Sequence, residues 1–127
     1  MNILSKFSNQ PTRYDRVRVA QLKPIRESIE HLRLPILSMR PLTGILGAIE
    51  VQIETGGDSP VVNALLLDAL RAAVRHQANE SVALAVFHAI DQFARAEARR
   101  WEQAEAGTLP PIELTPDERL DELMRAG

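Results

Sequence analysis

Cysteine is absent from these 127 residues. Its absence excludes a disulfide framework, thiolate zinc sites, thiol redox chemistry and a cysteine nucleophile. Aromatic residues are scarce as well, at 4%, with a single tryptophan, Trp101. Residues 1–10 hold no apolar run of the ~7–15 residues a signal peptide needs, so secretion is not implied and a reducing cytoplasmic setting is expected. The longest apolar stretch, residues 61–67, is interrupted by Asn63 and closed by Asp68. That is far short of the ~20 residues that span a bilayer, so no membrane segment is expected.

Catalytic signatures are missing too. No GxSxG elbow, GxxxxGK[ST] loop, GxGxxG loop or HExxH helix occurs. His76 precedes Glu80 by four residues and His88 precedes Asp91 by three, but a break near Asn79 separates the first pair, and two such pairs fall short of a zinc motif. His31, among Arg and Glu, reads as a surface residue, and Ser28, Ser38, Ser59 and Ser81 read as caps or surface positions. No catalytic residue, metal ligand, cofactor or small-molecule substrate is expected.

What is present is one domain's length of chain, 45% hydrophobic, with 15 basic and 17 acidic residues. The charges are uneven. Residues 1–40 hold eight basic and three acidic residues, a net of +5, and residues 41–127 hold seven and fourteen, a net of −7. The two halves can attract each other, or the basic one can meet an acidic protein or nucleic acid through Arg13, Arg16, Arg18 and Lys23.

Residues 1–21 are expected to form an extended basic arm, irregular apart from the strand-like alternation of residues 16–19. Ile25, Ile29 and Leu32 fall at helical spacing behind Pro24, which predicts a short helix over residues 24–33. Pro35 and Pro41 then predict an extended connector. Residues 42–55 fit both periods. Leu42, Ile45, Leu46, Ile49 and Ile53 make a helical stripe and Ile49, Val51 and Ile53 alternate as in a strand; helix is favoured because its stripe covers the whole segment, although Gly44 and Gly47 each cost it roughly 1 kcal/mol.

Asp58 or Ser59 before Pro60 opens a helix over residues 60–77, whose apolar residues wrap beyond one face and require cover on more than one side. Asn79 or Ser81 opens a long helix running to about residue 106, ended by Gly107, with a charged second half expected to project into solvent or toward a partner. Trp101 lies in that half beside Arg99 and Arg100, a setting enriched at interfaces, and it can equally cover the bundle end or fold onto Leu109 and Ile112. Residues 107–115 read as a proline-containing linker, and Thr115, Pro116 and Glu118 form a capping box for a short helix carrying Leu120, Leu123 and Met124 on one side.

The expected fold is therefore all-α: a small helical bundle on a central antiparallel hairpin over residues 22–106, with the arm at 1–21 and a linker-tethered docking helix at 107–127. The expected function is a non-enzymatic protein-interaction module, an adaptor, assembly component or regulator that self-associates, with Leu67, Trp101, Leu120, Leu123 and Met124 meeting partners. The alternative is a nucleic-acid-binding accessory protein that uses the basic arm.

Overall fold

A computed structural model of the chain describes residues 12–109 together with 120, 123 and 124. Five helices follow one another in the 12–109 segment, and no strand occurs among the described residues. They are α1 (Arg13–Ala20), α2 (Lys23–Glu30), α3 (Ile36–Glu54), α4 (Pro60–Arg75) and α5 (Glu80–Glu105).

The first helix replaces the extended segment expected there. Thr12 and Asp15 form a reciprocal capping box: the Thr12 hydroxyl accepts the Asp15 N–H at 3.2 Å and the Asp15 carboxylate accepts the Thr12 N–H at 2.9 Å. Two otherwise orphaned donors are thereby satisfied, and the four-residue alternation at 16–19 is too short to compete with them. Residues 1–11 of the expected arm lie outside the described residues.

In α2, Ile25 and Ile29 are buried and Pro24 sits in the first turn, where its missing N–H has no intrahelical partner to lose. The helix ends before Arg33, which takes a left-handed φ of 51°. The extended connector expected between Pro35 and Pro41 is also replaced by helix. Pro35 is the N-cap of α3 and Pro41 lies inside it. A proline there removes one backbone bond and leaves the Leu37 carbonyl without its donor, but Leu37 is exposed, so that carbonyl can turn to water.

Residues 42–54 are helical and Thr55 caps the helix, which settles the ambiguous period. Leu42, Leu46, Ile49 and Ile53 form one stripe, 0–1% exposed. Among the described residues α3 is the one helix whose length and mean hydropathy of 1.2 reach what a membrane span needs, a measure of length and composition only. A soluble core helix meets the same measure, and the buried stripe belongs to the core.

Both following caps are as expected: Ser59 Oγ accepts from Val62 N–H at 3.4 Å and Asn79 Oδ1 from Val82 N–H at 3.1 Å. Gly107, at φ 70°, ends α5 in the left-handed conformation that glycine adopts without a Cβ clash. Helix α3 packs on α4, α4 on α5, and α2 on both α5 and α3, while α1 packs on α3. Ile25, Leu46, Ile53, Leu70, Val86 and Ile90 are among the fully buried side chains at the centre.

The apolar wrap of α4 is not covered on two sides. Its buried residues, Asn63, Leu67, Leu70 and Val74, make one stripe, and Val61 and Leu65 are 68% and 64% exposed.

Candidate functional site

Three charged or polar residues are buried among the described ones, Arg18, Asn63 and Glu97, and all three belong to one cluster. Arg18 sits on α1, Asp58 in the connection before α4, Asn63 in the first turns of α4, and Glu97 and Arg100 one turn apart on α5. The α1 capping box sets the register that aims Arg18 inward. The guanidinium donates from Nε to Glu97 Oε1 at 2.7 Å and from Nη1 and Nη2 to the two Asp58 oxygens at 2.7 and 3.1 Å; Nη2 also donates to Glu97 Oε2. Arg100 Nη2 adds a 2.7 Å bond to Asp58 Oδ2, and Asn63 Nδ2 one of 2.8 Å to Asp58 Oδ1.

The electrostatics follow from this crowding. Burial works against the charged form of Arg18, but hydrogen bonds to Glu97 and Asp58 and their negative charges outweigh it, holding the guanidinium above its ordinary pKa. For Asp58, burial pushes the carboxyl up, while hydrogen bonds from Arg18 and Asn63 and the charges of Arg18 and Arg100 prevail and hold it below the usual carboxylate range. A carboxylate held so low is a weak base at neutral pH, and both acids are already engaged by cations. Chemically, the cluster ties α1, the α3–α4 connection and α5 together.

Arg18 is therefore a correction. Expected at a nucleic-acid or acidic-partner surface, it is 3% exposed and is held by Glu97 and Asp58. In the charged second half of α5, Arg95, Arg99, Glu102 and Glu105 are exposed, while Glu97 is buried and Arg100 partly buried in the same cluster. Arg16 and Lys23 are exposed, and Lys23 Nζ lies 3.8 Å from Glu27; Arg13 is partly buried.

Leu67 is a second correction: at 3% exposure it belongs to the core and is not available to a partner. Its neighbour Leu65 points outward. Trp101 is half-buried beneath the Arg100 guanidinium, 4.5 Å from the ring centre, a cation–π contact. Leu120, Leu123 and Met124 are helical and 57–72% exposed; the capping box expected at residues 115–118 lies outside the described residues.

The sequence reading missed the cluster, though it carried a signal. Ala83, Val86, Ile90 and Phe93 form the buried stripe of α5, and the next position at that spacing is Glu97. An acid on a buried stripe requires a cation. Among the described residues no group of three or more His, Asp or Glu is placed to hold a metal ion. No family model, curated protein or solved structure matches this chain.

Proposed function

We propose that the protein is a non-enzymatic interaction module that works by self-association and by docking on a partner protein, a small helical bundle on the hairpin of α4 and α5. One observation carries this reading. Along α3, Leu37, Pro41, Gly44, Ala48 and Val51 are exposed at alternating spacings of four and three, and along α4 Val61, Leu65, Ala69 and Ala72 are exposed at helical spacings of four, four and three. Each set is one outward helix stripe, none of the nine residues is charged, and the two helices pack side by side. Exposed uncharged stripes of this kind support association with another surface.

A second copy is the occupant the surface suits best, since a self-complementary two-fold contact leaves no open apolar edge. The exposed side chains Leu120, Leu123 and Met124 offer a second, narrower apolar stripe for a partner groove. Sedimentation equilibrium should give a mass above that of one chain at high micromolar concentration, and Leu65→Glu should return it to one chain with the helix content intact. A monomeric wild type across that range rejects self-association.

The nucleic-acid reading keeps the exposed cations Arg16, Lys23, Arg33 and Arg40. It calls for binding that falls steeply between two salt concentrations and is lost on replacing Arg16 and Lys23.

A further inference from the structure

We propose that the groove between α2 and α5 takes the C-terminal segment of a second copy of this chain, seated by Leu120, Leu123 and Met124. Docking here presupposes the self-association proposed above and adds a second contact to it, on a face that shares no residue with the α3 and α4 stripes. The groove measures about 670 Å³. That lies within the ~300–1,000 Å³ of sites for drug-sized molecules, so it has room for more than one side chain. Ala20, Pro24, Ala89 and Ala96 line it together with Phe93, a set of mostly small apolar side chains beside one ring. A helix laid into such a groove is held by apolar anchors three and four residues apart.

The C-terminal segment has those anchors. Leu123 and Met124 follow Leu120 by three and four residues, and all three are helical. They are 57–72% exposed, so the stripe is not packed on the chain that carries it, and a second copy is left to cover it. Eleven residue steps separate Leu120 from Leu109, the last described residue before it, which lines a cleft with Arg99 and Gln103 of α5. Fully extended they span at most about 40 Å, beyond the ~30 Å width of a small domain. The segment is therefore long enough to leave its own bundle and reach a neighbour's.

Charge selects this groove over the α3 and α4 stripes. Residues 110–127 hold five acidic and two basic residues, a net of −3, with Asp121 and Glu122 between the apolar anchors. Lys23 and Arg99 line the groove and are exposed, and Arg99 has no ion-pair partner among the described residues. One acid lines it as well, Glu27, which lies 3.8 Å from Lys23. An acidic segment is drawn to the two cations, whereas the nine uncharged residues of the stripes offer it no opposite charge.

The chain has no cysteine, so an introduced pair reports contact without background. The full chain carrying Ala20→Cys at the groove and Leu123→Cys on the segment, both at exposed positions, should form disulfide-linked pairs of chains on mild oxidation, with the link mapped between those two positions. Arg75→Cys, exposed and outside the groove, replaces Ala20→Cys in the control and should give several-fold less of that link. In sedimentation, Leu123→Asp should weaken association roughly tenfold or more, the worth of one buried leucine, and Lys23→Glu with Arg99→Glu should weaken it as well. A link formed within one chain, a yield equal to the control, or a Leu123→Asp chain that associates as the wild type does overturns the proposal. Leu65→Glu reads the α3–α4 surface separately: if it dissociates the copies while Leu123→Asp has no effect, self-association stands and the groove contact falls, and a wild type that stays monomeric removes both.

Discussion

Arg18 and Glu97 lie 79 residues apart in sequence, and the Arg18 Nε donates to Glu97 Oε1 at 2.7 Å in the interior. The contact joins the first described helix to the last. Because both groups have given up water, the pair acts less as a net source of stability than as a device that makes each charge dependent on the other. Asp58, held by both arginines, extends that dependence to the α3–α4 connection.

The first prediction tests that dependence. Arg18→Met strips Glu97 of its two hydrogen bonds and leaves it buried with Arg100 Nε 3.7 Å away. Breaking one half of a buried pair typically costs about 3–5 kcal/mol, and the remaining arginine places this case near the lower end. Arg18→Met combined with Glu97→Met removes both charges and should be clearly more stable than Arg18→Met alone. Urea unfolding of the wild type, both single variants and the double variant measures the coupling. A double variant whose loss equals the sum of the two single losses would show that the pair is not coupled.

Asp58 provides a prediction in pH. Its folded pKa is depressed, so its contribution to stability is fully present above the unfolded value of about 3.9 and is lost as pH falls through the lower folded value. The unfolded chain binds the proton first, and stability therefore drops on the acid side. Asp58→Asn should be less stable than wild type at pH 6, with the gap closing as pH falls below about 4. Thermal melts at half-unit pH steps read this; a gap that stays constant down to pH 3 contradicts the assigned cause.

These residues also show how far the sequence was legible. Helices α4 and α5 were readable with their caps because Ser59, Pro60, Asn79 and Gly107 act locally, within one turn of the residues they cap. The stripe of α3 was readable for the same reason. Helix α1 carried a local signal, the Thr12–Asp15 capping box, that the alternation of residues 16–19 masked; the inward place of Arg18 was hidden because the Glu97 and Asp58 that accept it lie 79 and 40 residues away. Leu67 and Leu65 posed a different difficulty: with Leu66 they form an apolar run in which composition alone does not say which side chain faces inward. The buried stripe of Asn63, Leu67, Leu70 and Val74 decides it, and that stripe includes a polar residue.

The last prediction concerns the two glycines inside α3. A Cβ built at Gly44 or Gly47 meets nothing within 4 Å, so alanine fits both positions without displacing a neighbour. Replacing glycine in a helix interior with alanine removes backbone freedom from the unfolded chain and favours the helix by roughly 0.5–1 kcal/mol. At concentrations low enough to keep the chain single, Gly44→Ala and Gly47→Ala should therefore raise the melting temperature by similar amounts, a few degrees each. Their behaviour separates as copies associate. Gly44 lies on the outward stripe with Leu37, Ala48 and Val51, where close approach of a second chain depends on a small surface, whereas Gly47 lies off that line. Gly44→Ala should weaken self-association and Gly47→Ala should leave it unchanged, as read by sedimentation at matched concentrations. If both variants gain stability and associate as the wild type does, the α3 stripe is not the contact between copies.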